Sequence, residues 1–276
     1  MNTWRGWACG RWRRRRENKK TSNAEHPTPN PEFKDHFSAH AVDYAKFRPR
    51  YPKELFQYLA TIAPGKQLAW DCATGNGQAA VALAEFFERV IATDASEKQI
   101  DNAEVHPRVE YRIAPAENSG IESNSVDLIT VAQALHWFEL ERFDTEARRV
   151  LKPGGVVAAW AYKLAQIEPA IDALVNHYYS DVVGAYWPPE RGLVEKFEEL
   201  AFPFPEIAAP PFEMVAHWNT EHLIGYLHTW SATQRFIAAN QRDPLQDVAG
   251  ALRLAWGDAK ELRPVVWPLT VRIGRV

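Results

Sequence analysis

The sequence predicts an α/β protein: a mostly parallel twisted sheet with helices on both faces and a mainly helical C-terminal cap. Three observations predict it. Short apolar runs alternate with helical patterns between residues 67 and 162, the rhythm of βαβ units. A glycine turn, AWDCATGNGQAA over residues 69–80, joins the first run to the next helix. After Tyr162 the alternation stops, and helical stretches separated by Pro-rich segments take over.

The elements follow in order. Residues 21–34 (TSNAEHPTPNPEFK) are rich in Pro and Asn and read as a linker. Phe37, Ala41, Tyr44 and Phe47 recur at helical spacing, and Pro49 and Pro52 stop that helix. Glu54–Ile62 reads as a second helix, closed by Pro64-Gly65. Gln67–Cys72 is the first strand. Gln78–Arg89 is a helix with Val81, Leu83, Ala84 and Phe87 on its inner face. Val90–Thr93 is a second strand, and Ser96–Val105 a helix with Ser96 as its N-cap. Val109–Ile113 and Val126–Val131 are the third and fourth strands, followed by a helix over Leu140–Leu151. Pro153-Gly154-Gly155 reads as a turn before a fifth strand, Val156–Tyr162. Helices are expected over Ile167–Val183, Arg191–Leu200, Glu221–Thr229 and Pro244–Gly257, then a last strand over Val265–Ile273.

Composition bounds the function. The chain has 276 residues, nearly half of them apolar, which suits one large domain or a domain with a cap. No apolar run has the length needed to cross a membrane. The net charge of -3 hides an asymmetry. Residues 1–20 carry eight Arg or Lys and one Glu, leaving 24 basic and 34 acidic residues elsewhere. An acidic remainder argues against a nucleic-acid-binding core. Two cysteines, Cys9 and Cys72, make no disulfide framework and fit a reducing cytoplasm. No CxxC or HExxH occurs, so no dedicated metal site is expected. The Arg- and Trp-rich tail lacks the apolar segment of a secretory signal. We read it as a disordered extension; a transit peptide and a nucleic-acid or membrane-surface arm are the alternatives. A monomer or dimer is expected.

The strand ends carry the chemistry. Gly75 and Gly77 let a backbone approach a ligand closely. Read from Gly75, the turn is also G-x-G-x-x-A, a permissible dinucleotide fingerprint. Asp94, nineteen residues on, offers an acceptor pair for a ribose diol. Asp71 discriminates between cofactors. A carboxylate beside the turn repels a pyrophosphate but helps to hold an ammonium group, which S-adenosylmethionine has. A turn-capping role is the plainer alternative. A nicotinamide-dependent oxidoreductase leaves Asp71 unexplained, and no Tyr-x-x-x-Lys pair follows the fourth strand.

Arg48-Pro-Arg-Tyr-Pro52, Trp70-Asp-Cys-Ala-Thr-Gly-Asn-Gly-Gln78, Thr93-Asp-Ala-Ser96, Ala116-Glu117, Asp127-Leu, Ala132-Gln-Ala-Leu-His-Trp-Phe138 and Arg149-Val-Leu-Lys-Pro-Gly-Gly155 form one set. It resembles the class I S-adenosylmethionine-dependent methyltransferases, and within them is similar to the trans-aconitate methyltransferase-like group acting on small molecules. The C-terminal part resembles the group more loosely, through Tyr186-Trp-Pro, Thr229-Trp-Ser231 and Trp267-Pro268. The resemblance implies a Rossmann-like fold and S-adenosyl-L-methionine as cofactor. It implies that Asp71, Ala73, Thr74, Gly75, Asn76, Gly77 and Gln78 wrap the methionine portion. Asp94, with Ala95 beside it, would take the ribose. Ala116 and Glu117 would lie near adenine, and Gln133 and Ala134 beneath the sulfonium. Ala73 departs from the family's usual glycine: harmless at negative φ, otherwise an obstacle to the methionine carboxylate. The implied substrate is a small organic acid or hydrophobic metabolite.

For catalysis, His136 after the fourth strand is the candidate base, with packing beside Trp137 as its alternative. Tyr44, Arg48, Tyr51, Trp137 and Trp230 are candidate substrate contacts. Arg191 and Arg235 suit a carboxylate, although surface arginines are ordinary. These readings divide the chain into a tail and linker (1–34), a cofactor domain with leading helices (35–162), and a substrate cap plus final strand (163–276). A non-catalytic methyltransferase-like binding module is the alternative that Ala73 and the basic tail motivate.

Overall fold

A computed structural model describes residues 49–276. The tail and linker, the leading helix over 35–47, and the candidate contacts Tyr44 and Arg48 lie outside the described residues.

Five strands run parallel: β1 (Leu68–Cys72), β2 (Arg89–Asp94), β3 (Val109–Ile113), β4 (Val126–Ala132) and β5 (Leu151–Tyr162). The chain then adds β6 (Glu206–Ile207), β7 (Phe212–Trp218) and β8 (Arg263–Arg275). The spatial order is β3-β2-β1-β4-β5-β8-β6, with β7 also on β8. β8 runs antiparallel to β5, and β6 and β7 run antiparallel to β8. This is the expected mixed α/β sheet. The burial explains the sequence patterns. Central β1 is buried at all five residues, so it reads as a continuous apolar run. Edge strand β3 is only partly buried and mixes polar with apolar residues.

The helices are α1 (Lys53–Ile62), α2 (Gln78–Leu83), α3 (Glu97–Asp101), α4 (Leu140–Val150), α5 (Pro169–His177), α6 (Arg191–Glu195), α7 (Thr220–His228), α8 (Ser231–Asn240) and α9 (Ala249–Trp256). Two apolar layers flank the sheet. One joins Phe56 and Leu59 of α1, Leu83 of α2 and Trp160 of β5 to Tyr178, Trp230 and Trp267. The other joins Trp70, Ile91, Ile129 and Val157 to Phe143 and Val150 of α4. Neighbouring residues therefore face opposite layers, as the two-residue period of a strand requires. Among the described residues, no helix is long and apolar enough to cross a membrane.

Several expected boundaries move. The helix expected over 78–89 stops at Leu83, although Ala84 and Phe87 still pack inward. The helix expected over 96–105 ends at Asp101, and Val105 is left 92% exposed. Ser96 does cap it, accepting from the Gln99 amide. Pro153-Gly154-Gly155 is not a turn between elements. It is an irregularity inside β5, where pairing jumps from Val126–Leu151 to Leu128–Val156. Helix α8 and strands β6 and β7 are additional to the expected elements. β7 was obscured by its setting: alternate residues face water, so His217 and Glu213 dilute its apolar signal.

Candidate functional site

Register brings three strand ends to one edge. Asp71 lies level with Ala92 of β2 and Thr130 of β4. The chain leaves β1 through Ala73 and turns at Thr74, whose amide donates to the Thr93 carbonyl (2.9 Å). Asp94 then clamps the turn. One carboxylate oxygen accepts from the Gly75 amide (2.9 Å) and the other from the Ser96 amide (2.9 Å). The Glu104 amide donates to the Asn76 carbonyl (3.0 Å), fixing the far side.

The two glycines serve different needs. Gly75 has φ of 57°, and a side chain there would meet nothing closer than Gln99 Oε1 at 4.0 Å. Its face is open to an approaching ligand. Gly77 has φ of 83°, and a Cβ would fall 2.1 Å from the Tyr111 hydroxyl oxygen. It is glycine because β3 packs on it.

Asp71 lies beneath the turn, fully buried. Its oxygens accept from the Thr74 hydroxyl (2.5 Å) and the Thr130 hydroxyl (2.6 Å). Burial pushes its pKa up to about 6, against the pull of those hydroxyls. Ala73 has φ of 54°, the left-handed region that costs an alanine about 1 kcal/mol or more. The condition under which a methyl there is harmless is therefore not met.

Gln133, after β4, has φ of 56° as well. Its amide donates to the Trp160 carbonyl (2.9 Å) and its Nε2 to the Tyr162 carbonyl (3.1 Å). Its Oε1 is buried without a partner. Ala134 is buried, and Leu135–Trp137 forms a short 3-10 turn. His136 is half-buried, with its Nδ1 inaccessible and unpartnered. Burial, then the Arg191 charge, lowers its pKa to about 4, with Glu190 opposing. It is neutral at neutral pH, and a weak base. Trp137 lies with its ring 4.8 Å from His136 and is 38% exposed.

After β3, Ala116 is buried and Glu117 accepts from the Glu139 amide (3.0 Å) at the start of α4. A second network holds this loop and was not anticipated. The Ser119 amide (2.8 Å) and hydroxyl (2.5 Å) donate to Glu146 Oε1, while Arg149 Nε donates to Glu146 Oε2 (2.7 Å). Thr130 was missed too. Its signal was a hydroxyl in the apolar run Leu128–Ala132 of a buried strand, next to Asp71 in register.

At the leading end, Gln78 accepts from the Tyr51 amide (3.3 Å) and donates to the Pro49 carbonyl (3.1 Å). The Tyr51 ring packs edge-on against Trp160 at 5.4 Å. The edge thus gathers Asp71, residues 73–78, Asp94, Ala95, Gln133 and Ala134. Trp230 is 4% exposed and packs against Tyr179 (5.9 Å) and Trp187 (5.5 Å) in the aromatic cluster after β5. It supports those rings. Among the described residues, no group of three His, Cys, Asp or Glu is placed to hold a metal.

Comparison with known proteins agrees with this architecture. Residues 70–159 match a methyltransferase domain family. A putative methyltransferase of Dictyostelium discoideum is 37% identical over 244 residues, spanning 85% of this chain and 93% of that protein. The solved structure of a putative type II methyltransferase from Anaeromyxobacter dehalogenans superposes with a TM-score of 0.79. It is 46% identical and covers 83% of this chain and 98% of that one. A probable S-adenosylmethionine-dependent methyltransferase of Saccharomyces cerevisiae is 30% identical over 163 residues, 54% of this chain and 55% of that protein. The chain belongs to the class I methyltransferase family.

Proposed function

We propose that this member of the class I methyltransferase family transfers the methyl group of S-adenosylmethionine to a small molecule, at an organic acid carboxylate. The observation that carries the reading is the acceptor set at the sheet edge. An open Gly75, the Asp94 carboxylate and the orphaned Gln133 Oε1 lie at the carboxyl ends of β1, β2 and β4. Acceptors suit a ribose diol and an ammonium group; a pyrophosphate needs donors. The yeast relative's description supports the same cofactor.

On this reading residues 73–78 hold the methionine end, and Asp71 works from below by fixing Thr74. Asp94 and Ala95 serve the ribose, Ala116 and Glu117 the adenine, and Gln133 and Ala134 the sulfonium. The segment 163–276 supplies the substrate cap and the final strands that complete the sheet. When bound, the cofactor would supply an activated methyl carbon, open to displacement by an acceptor oxygen with S-adenosylhomocysteine as the leaving group. The protein's tasks are alignment and exclusion of water. A carboxylate acceptor is already ionised and needs no base, which suits a His136 whose pKa lies near 4. His136 then orients the acceptor, with Trp137 and Tyr51 beside it.

The test is calorimetric titration of the full chain with S-adenosylhomocysteine, NADH and NADPH. Micromolar binding of the first alone is expected. Binding of a nicotinamide instead, or no binding at all, overturns the assignment.

A further inference from the structure

We propose that Arg191, in the segment after β5, grips an anionic carboxylate of the methyl acceptor, a specificity role that rests on the methyl-transfer reading above. The guanidinium is built into place. Its Nε donates to the Tyr179 hydroxyl (3.1 Å). Its Cζ lies over the Trp187 ring at 5.2 Å and the Tyr179 ring at 5.6 Å. Those rings are fixed in turn: Trp187 Nε1 donates to the Tyr179 carbonyl (3.1 Å), and Trp230 packs beneath both. The side chain is 20% exposed.

This orientation leaves binding capacity unspent. Among the described residues, Nη1 has no hydrogen-bond partner, and Nη2 makes an ion pair with Glu195 at 3.7 Å, too long for a hydrogen bond. Glu195 itself accepts from the Tyr179 hydroxyl (3.2 Å). A pre-oriented guanidinium whose Nη donors make no hydrogen bond is an arrangement that can bind a planar carboxylate with two bonds.

Contacts connect Arg191 to the sheet edge. Gln133 donates to the Tyr162 carbonyl, and the next residue, Lys163, opens a cleft of about 390 Å³. Tyr179 and Glu195, both against Arg191, also line that cleft. Asp172 also lines it, with one oxygen occupied by the Ile167 amide (2.9 Å). From the other direction Arg191 is near enough to His136 to depress its pKa. The cleft thus runs from the end of β5 to Tyr179 and Glu195, two side chains that contact Arg191.

The experiment uses the full chain, S-adenosylhomocysteine, and three probes: succinate, tricarballylate and the neutral succinamide. Calorimetry follows each probe with and without S-adenosylhomocysteine, for wild type, Arg191→Met and Arg191→Lys. Met keeps the stem volume, and thermal melting checks the fold. We expect at least one carboxylate to bind the wild type, succinamide not to bind, and Arg191→Met to lose about tenfold or more in carboxylate affinity. Arg191→Lys should recover part of the loss, and S-adenosylhomocysteine affinity should not move. In proton NMR, Arg191→Met should also raise the His136 pKa. Equal carboxylate binding by wild type and Arg191→Met overturns the proposal, as does the absence of carboxylate binding to a wild type that binds S-adenosylhomocysteine. If S-adenosylhomocysteine fails to bind while the Arg191-dependent carboxylate binding persists, the methyl-transfer reading falls and the anion site stands.

Discussion

The two edges of the parallel sheet are built to opposite standards. At the amino edge every named polar group is paired. Asp127 accepts from the amides of Gln67 (2.9 Å) and Leu68 (3.0 Å) and from Lys152 Nζ (2.8 Å). Arg275 donates to the carbonyls of Gly154 (2.9 Å) and Ile62 (2.8 Å). At the carboxyl edge, Ala73 and Gln133 sit at left-handed φ, Gln133 Oε1 and His136 Nδ1 have no partner, and Asp71 is held near its protonation point. Strain and unpaired groups persist where the surrounding structure over-determines them, and they collect at functional sites. The amino edge supplies the stability that lets the carboxyl edge remain imperfect.

The largest break in this contrast is expected at the amino edge. Asp127→Ala removes three hydrogen bonds from a carboxylate that is 1% exposed and strands two amides, leaving Lys152 only its bond to Gln67 Oε1. A loss of about 3–5 kcal/mol in urea unfolding is expected. A loss under 1 kcal/mol would mean that water replaces the carboxylate and that the edge is no anchor.

Asp71 gives the next effect, and it depends on pH. Its carboxyl ionises near the ordinary value when unfolded but at about 6 when folded. Between those values the folded state holds the extra proton, so stability falls as pH rises from about 4 to 6 and is level above that. Burial is complete, so the full shift applies, about 3 kcal/mol at most. Asp71→Asn should flatten that slope relative to wild type. Parallel stability curves for the two proteins would show that Asp71 ionises freely in the fold.

Asp94→Ala should weaken S-adenosylhomocysteine binding by about 1–3 kcal/mol in calorimetry, through loss of a charge-assisted contact and release of the Gly75 amide. Unchanged affinity would remove β2 from the site. The smallest change sharpens the comparison from the strained side. Ala73→Gly should stabilise the fold by about 0.5–1 kcal/mol, the left-handed strain less the added entropy of the unfolded chain. Destabilisation would mean that the methyl's packing in the second apolar layer outweighs its backbone strain.

Much of this was legible in sequence order. The strand runs of β1, β2 and β4 were visible because both faces are buried and the apolar pattern is continuous. Helices α2 and α3 were overextended because Phe87 and Val105 keep an apolar period after the backbone has turned. The site was readable where a residue acts through its backbone or its place at a strand end, as Gly75 and Asp94 do. It was unreadable where two distant segments meet. Thr130 joins Asp71 across 59 positions, Ser119 joins Glu146 across 27, and Arg191 acquires its aromatic cage by the packing of the segment after β5.

The sequence by itself determined the α/β alternation, the glycine turn and the acidic residues at the strand ends, because periodicity and turn chemistry are local. The tertiary structure decided the rest. It turned Pro153-Gly154-Gly155 into an irregularity within β5, gave Ala73 a positive φ, placed Asp71 beneath the turn rather than in it, and oriented Arg191. Backbone strain, desolvation and the meeting of distant side chains depend on which segments pack together, and no local pattern encodes them.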